Sequence, residues 1–436
     1  MLELSFYNLD GTDHDSINKF LSGLVEKALY ELQCSYCIEV EEDNRSITPL
    51  TLGRISSYYY LSHNTVRMFR DELKSESTIP ELIEILSNAH EYAELPVRHN
   101  EDQINGDIAK KLPLEVNPYS YDSSHTKAHI LLQAHFCQMA LPSTDYYTDT
   151  KSVLDQAIRI LQAMLDTVAD QGWLVATLQI ITLIQMVVQG RWNHDNSLLT
   201  LQHMMPYHIN CLRPQNAGMK KKGFPNLKNP IGSLPEMIAI CDGKFDALMA
   251  MLGEEMGRTE LDQLYHVLCR LPQIDINLSV KGWWKDGSGD QEIKPVNIHH
   301  TSGVRPDEDW IQLHADQEYV LHVDMRKINK TRKNESRAFT QKFPKPKDAG
   351  WILVLGEIEN KEVIALKRIG YIRNQSKSQL AFYTPEKTGR VIYTLYMMSD
   401  AYLGLDQQLD IPLEILPASI ESQVNTELDD LDFGDE

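Results

Sequence analysis

A chain of 436 residues can bury a sizeable core and has room for about two to four domains. Its 62 acidic and 42 basic side chains give a formal net charge of −20, which argues against broad, non-specific attraction to nucleic acid but leaves room for a local basic surface. With 42% hydrophobic residues the chain reads as a globular protein with a short tail, not a disordered one.

The stretch "DSINKFLSGLVEKALYELQCSYCIEV", from Asp15 to Val40, predicts an amphipathic helix running into a β-rich segment, with "EEDNRS" as a turn. Cys34 and Cys37 within it have the spacing of a redox dithiol or half a zinc site. A zinc site needs a second ligand pair, and the other cysteines, Cys137, Cys211, Cys241 and Cys269, are scattered. A redox pair usually sits at a helix N-terminus, which lowers the thiolate pKa. Here the pair follows a helix, and an odd spacing on a strand sends the two side chains to opposite faces. The pair is expected to be structural, with no metal. Few cysteines and no signal peptide read as a reduced, intracellular chain, so the sequons at Asn329 and Asn334 are expected to carry no glycan.

From Pro49 to Asn196 the pattern is almost all helical, punctuated by Pro80, Pro96, Pro113, Pro118 and Pro142. His125 and His129 lie four apart in "HTKAHILLQAH", with His135 nearby, but no acid stands at a convincing ligand position. Surface or capping histidines are the expectation. From Leu154 to Val168 an apolar stripe runs through Leu154, Ala157, Ile158, Leu161, Leu165 and Val168. Gln156, Arg159 and Gln162 fall on the polar side. They read either as a surface helix with an Asp155–Arg159 pair or as a ridge that touches a phosphate backbone. "GWLVATLQIITLIQMVVQG" could pose as a membrane span, but Gln179, Gln185 and Gln189 interrupt it, so a buried core helix and no membrane contact are expected.

From about Pro206 to Pro272 the helices are shorter, with breaks such as "GMKKKGFPNLKNPIGSLPEM" that carry Lys220, Lys221 and Lys222. After Pro272 the period changes to two, in "IDINLSV", "EYVLHVDM", "WILVLGEI", "EVIALKRI", "RVIYTLYMM" and "LDIPLEI". Short alternating strands with polar turns predict an antiparallel β-sandwich. The basic run from Arg326 to Lys347 reads as a charged loop or as a phosphate or partner contact, and the acidic end as a solvated tail. The sequence contains no G-x-x-x-x-G-K-[ST], DExH or DEAD box, HExxH, GxSxG or GxGxxG. Nucleotide or ester hydrolysis by this chain alone is therefore not expected.

Several long stretches together resemble one known unit. They are "SYCIEVEEDNRSITPLTLGRISSYYYLSHNTVRMF", "LPVRHNED", "HTKAHILLQAH", "GWLVATLQIITLIQMVVQGRW", "LHADQEYVLHV", "GWILVLGE", "IALKRIGYIRN" and "YTLYMMSDAYLGLDQQ". The chain, from about Tyr7 to Val424, resembles the C-terminal SEC-63 unit of large DExH-box helicases, nearer to the cointegrator-complex kind than to the U5 spliceosomal kind. The resemblance implies a multi-domain, α-then-β protein. Its parts would be a partial winged helix over 7–48, a helical bundle over 49–198, a helix-loop-helix module over 199–272, a fibronectin-III or immunoglobulin-like sandwich over 273–417 and an acidic tail over 418–436. It implies that Val153 to Gln171 is a "ratchet" helix lining a nucleic-acid channel, with Arg159 at its basic position, Gln156 and Gln162 beside it, and Lys220, Lys221 and Lys222 adding charge. The family's motor domains are missing, so the chain resembles a truncated form. No catalytic residue, metal or cofactor is carried over, because ATP and magnesium belong to the motors. The implied function is a non-catalytic module that guides single-stranded nucleic acid and docks other cointegrator-complex subunits, in the nucleus and cytosol, in DNA alkylation repair and rescue of stalled ribosomes. A pure protein-interaction scaffold, or the equivalent module of a spliceosomal helicase, is the alternative.

Overall fold

A computed structural model of the chain describes residues 13–41, 46–214, 223–241, 244–282, 310–329 and 336–418, and the backbone alone of 290–293 and 296–297. Backbone contacts gather the chain into two units, Met1–Leu132 with Ser143–Gln171, and Gln133–Pro142 with Gly172–Glu436. The division falls inside the 49–198 span anticipated as one bundle, because the helix after Gly172 is bonded to strands that follow it. The finer boundaries at 48, 198, 272 and 417 are proposals about divisions within these units.

The first unit opens with α1 (His14–Cys34), capped by Asp13, whose carboxylate accepts from the Ser16 N–H at 3.0 Å. No residue of α1 is buried. A short antiparallel pair follows, β1 (Ile38–Val40) with β2 (Ile47–Pro49), Val40 standing opposite Ile47. Helices α2 (Thr51–Tyr59), α3 (His63–Glu72), α4 (Ile79–Ser87) and α5 (Glu101–Ala109) come next. Then come α6 (Ser124–Phe136), which begins in this unit, and the long α7 (Thr144–Asp170). Pro80 sits in the first turn of α4, where a missing N–H costs nothing, and Thr78 with Glu81 closes a capping box.

Four charges organise the interior of this unit. Lys127 on α6 is fully buried, and its ammonium donates to Glu101 Oε2 at 2.6 Å, Asp149 Oδ2 at 2.7 Å and the Pro96 carbonyl at 2.7 Å. Arg98 donates to the same two carboxylates, at 3.0 Å to Glu101 and 2.6 Å to Asp149. These four charges balance, with the exposed Asp145 a looser partner of Arg98 at 3.7 Å, and all three ammonium protons are placed. Burial pushes both carboxyls up, but bonds from Lys127 and Arg98 outweigh it and hold Glu101 below 4.5 and Asp149 below 3.8. Because these folded-state values are depressed, the stabilisation is complete above the ordinary carboxylate range and is lost as pH falls through the lowered values. Lys127→Met should lower stability by about 3–5 kcal/mol, since it leaves two carboxylates facing one arginine, and urea unfolding of the variant will measure it.

The second unit holds α8 (Leu174–Gln189), which ends at Gly190 in the left-handed region at φ 61. Shorter helices follow, α9 (Leu234–Cys241), α10 (Phe245–Leu252) and α11 (Arg258–Arg270), with 3-10 turns at Ser197–Thr200 and Pro206–Leu212. The strands are β3 (Ile274–Lys281), β4 (Asp290–Ile293), β5 (Val296–Asn297), β6 (Ile311–His314), β7 (Glu318–Lys327), β8 (Trp351–Glu357), β9 (Glu362–Ile369), β10 (Gln375–Tyr383), β11 (Gly389–Ser399) and β12 (Gln407–Leu416). One sheet runs β10-β7-β3-β4; the other runs β5-β12-β11-β8-β9, with β6 parallel to β12. Burial alternates along β3 and β10 as a half-covered strand requires. Phe382 of the first sheet meets Tyr393 of the second edge-to-face at 5.7 Å, so apolar side chains join the two sheets as a sandwich. The helix-rich first half and sheet-rich second half agree with the α-then-β expectation. Among the described residues no helix is long and apolar enough to cross a membrane.

α8 is tied to the second sheet by polar bonds at both ends. The Leu174 N–H donates to the Lys361 carbonyl at 3.0 Å, and the Gln185 amide donates to the Ser399 carbonyl at 2.7 Å and to the Asp406 carboxylate at 2.9 Å. Asp406 also accepts from the Ser399 N–H at 2.8 Å, and among the described residues no ion pair holds it. Burial pushes its carboxyl up to about 6, against the pull of those two donors. Unfolding returns it to its ordinary value of 3.8, so between those values the folded chain holds the extra proton and stability declines as pH rises. Asp406→Asn should raise the thermal midpoint near neutral pH and flatten its decline across that window, as thermal unfolding at a series of pH values will test.

Candidate nucleic-acid interface

The helix anticipated over Val153 to Gln171 is longer than its apolar stripe suggested. α7 starts nine residues earlier, where the Ser143 hydroxyl accepts from the Tyr146 N–H at 3.4 Å. Its N-terminal turns are largely exposed, whereas from Val153 onward the stripe of Leu154, Ala157, Leu161, Leu165 and Val168 is buried and Ile158 is half-buried. Gln156, Arg159 and Gln162 are half-buried too, and with Asp166 they make a polar strip at spacings of three and four. The three polar residues singled out in the sequence thus lie together on one strip.

Arg159 does not reach toward Asp155, as the surface-helix reading had it. Its guanidinium donates through Nη1 to the Tyr60 carbonyl at 2.8 Å and the Tyr59 carbonyl at 3.3 Å, and through Nη2 to the Gln156 side-chain oxygen. These carbonyls belong to the end of α2, where no helical N–H remains to satisfy them. A cation there also matches the negative end of the helix dipole. Tyr60 ends the helix in the left-handed region, φ 58 and ψ 47. Next to it the Tyr59 hydroxyl donates to Asp166 Oδ2 at 2.6 Å, so α2 is joined to α7 at two points of the strip. Among the described residues no carboxylate lies within ion-pair distance of Arg159.

The remaining sequence candidates fall elsewhere. Lys220, Lys221 and Lys222 lie outside the described residues. The described parts of the basic run from Arg326 to Lys347 are the end of β7 and a loop before β8, in which Lys347 pairs with Asp400 at 2.7 Å. The histidines are half-buried, and two of them bond carbonyls in the last turn of a helix, in keeping with the capping alternative. His125 and His129 bond the Ser87 carbonyl and hydroxyl at 3.0 and 3.3 Å, and His135 bonds the Val187 carbonyl at 2.8 Å, each as part of packing. Burial drives the His135 imidazole down to about 4. Among the described residues no group of three His, Cys, Asp or Glu side chains is placed to hold a metal ion.

Cys34 is the last residue of α1, so the pair is not on a strand; it brackets a turn in which Tyr36 is left-handed at φ 56. Cys37 is buried, which pushes its thiol up and away from thiolate chemistry. Its carbonyl accepts from the Leu50 N–H at 3.0 Å. A Cβ on Gly53 would stand 2.0 Å from that carbonyl oxygen, so only glycine lets α2 approach the turn.

The family model of the Sec63 Brl domain matches residues 49–412. The chain belongs to the Sec63 Brl domain family. It is 53% identical over 428 residues to activating signal cointegrator 1 complex subunit 3 of Gallus gallus, covering 98% of this chain and 19% of that protein. The Homo sapiens subunit is likewise 53% identical, over 437 residues. The human U5 small nuclear ribonucleoprotein 200 kDa helicase is 31% identical over 418 residues, covering 96% of this chain and 17% of that protein. The chain thus spans about a fifth of the length of these curated relatives. In this Sec63 chain the match begins at the end of β2 and takes in α2, α7 and the strip between them, while α1 and β1 precede it.

Three residues of this region escaped the pattern reading: Tyr58, Tyr60 and Arg54. The triplet in "ISSYYYLS" was the available signal, but nothing local tells which of three adjacent rings turns inward. Arg159→Ala should cost about 1–2 kcal/mol by leaving the α2 carbonyls without their charged donor, and Tyr59→Phe about 1 kcal/mol, both read from urea unfolding.

Proposed function

We propose that this Sec63 chain is a non-catalytic accessory module of a cointegrator-type DExH helicase, one that guides a nucleic-acid strand along the α7 strip and docks partner proteins. The observation that carries the reading is Arg159, a cation with no carboxylate within ion-pair distance among the described residues, held on the half-buried strip with Gln156 and Gln162. Phosphate oxygens suit such a group, because guanidinium donors match them in charge and geometry. Lys220, Lys221 and Lys222, which lie outside the described residues, are part of the proposal only as further cations for nucleic acid. Within this reading α1 with β1 and β2 is the back half of a winged helix, the residues of 199–272 form a helix-loop-helix module, and the two packed sheets are a fibronectin-III or immunoglobulin-like sandwich. Relatives named as subunits of the activating signal cointegrator 1 complex support a place among such subunits, and the proposal puts the module in the nucleus and cytosol. Alkylation repair and rescue of stalled ribosomes extend the proposal to the whole helicase.

The second reading, a protein-interaction scaffold, draws on α1. It buries none of its residues and exposes Leu21, Leu24, Val25 and Tyr30, in a chain of net charge −20. A titration of single-stranded DNA or RNA against salt separates the two. Arg159→Gln, which keeps amide donors for the α2 carbonyls, and Arg159→Glu should both weaken binding and lower the salt slope by about 0.7 or more. Unchanged binding by both variants would leave the scaffold reading in its place.

A further inference from the structure

α2 carries Arg54 and Tyr58 one turn apart, and both are exposed, so they share a face. Tyr58 is 81% exposed and Tyr60, just past the helix end, is 88% exposed. Between them Tyr59 is buried and anchored by its hydroxyl on Asp166, which keeps its two neighbours turned outward. A bulky residue in the left-handed region is strained, and such strain persists only where the surroundings enforce it. At Tyr60 the enforcement is visible: Arg159 grips its carbonyl at 2.8 Å while its own N–H is bonded back to the Ser57 carbonyl at 3.3 Å. Single exposed aromatics need no explanation. Two that flank an anchored third, one of them strained outward, ask for one.

The charges nearby point to the ligand. In a chain where acids exceed bases by 62 to 42, neither Arg54 nor Arg159 has a carboxylate within ion-pair distance among the described residues. Arg159 spends donors on Tyr59, Tyr60 and Gln156, whereas no hydrogen bond or ion pair occupies the Arg54 side chain among those residues. Exposed rings beside an unoccupied guanidinium fit a ligand that alternates flat apolar faces with phosphates.

We propose that Arg54, Tyr58 and Tyr60 form a platform for single-stranded nucleic acid, in which the two rings stack on unpaired bases, Arg54 takes a phosphate, and Arg159 is the positioning residue that fixes Tyr60. This rests on the nucleic-acid reading above and sharpens it, because a duplex hides the faces that the rings would use. The platform reads no particular base, since every base offers a face.

The experiment is a fluorescence-anisotropy titration of the 436-residue chain with a labelled oligo-dT of about twenty nucleotides, and with a hairpin duplex, at several salt concentrations. Tyr58→Ala with Tyr60→Ala should weaken single-strand binding roughly tenfold or more with the salt slope unchanged. Tyr58→Phe with Tyr60→Phe, which keeps both rings, should restore it to within about twofold. Arg54→Ala should lower the salt slope by about 0.7. Photocrosslinking of the bound strand should mark the 58–60 segment in the parent chain, and the mark should fade in Arg159→Gln even at saturating oligonucleotide, which a purely structural loss of affinity would not cause. Both tyrosines are exposed, so their replacement leaves the core intact, and an unchanged thermal midpoint will verify that. Binding by the double alanine variant equal to the parent, while Arg159→Glu still weakens it, would overturn the platform and leave the strip reading standing. Equal affinity for the hairpin duplex would overturn it too. No binding by the parent chain at low salt would overturn both.

Discussion

The first unit depends on a buried ammonium. Placing Lys127 where no water can reach it costs several kcal/mol unless every proton finds an acceptor. Glu101 on α5, Asp149 on α7 and the Pro96 carbonyl must therefore converge on α6 together, and Arg98 restores neutrality. A helix is stiff, so the rotation imposed on α7 at Asp149 is carried ten residues, about 15 Å, along its axis to Arg159. The angle at which the polar strip meets the end of α2 is thus set at a cluster that takes no part in it.

Capping then turns that orientation into a surface. Helix ends leave carbonyls without donors, and α2 solves this with a side chain from about a hundred residues away. The same guanidinium that completes the helix holds a tyrosine in a conformation that it would otherwise avoid. Arg159 belongs both to the integrity of the unit and to the shape that it presents, which is why substitutions preserving donors but not charge separate its two roles.

How much of this was legible depended on range. The strip of Gln156, Arg159 and Gln162 was visible because off-stripe residues at helical spacing report their own exposure. The start of α7 was not, since buried Tyr146, Asp149 and Thr150 look polar in a binary pattern. An aspartate reads as surface until a lysine elsewhere in the chain claims it. That the histidines sit at helix ends was open to the pattern, but which helix each one serves was not, because their carbonyl and hydroxyl partners are remote. In the second unit the glutamines that ruled out a membrane span did more than interrupt an apolar run. Gln185 bonds the Ser399 carbonyl and Asp406, and Gln189 bonds the Ala401 carbonyl at 2.5 Å, so their amides are what fasten α8 to the ends of β11 and β12. The alternating strands were readable residue by residue, whereas the order in which they pair was not, since period two says which face is covered and nothing about neighbours.

The glycine beneath the cysteine turn has a practical meaning. With no side chain at Gly53, α2 lies against the Cys37 carbonyl, and the Cys37 thiol is sealed at 2% exposure while Cys34 stays partly open. An alkylating reagent therefore meets one sulfur directly and reaches the other only when the turn lifts away from the helix. Two cysteines three residues apart become a clock with its own reference, timing the separation of the N-terminal hairpin from the body of the unit.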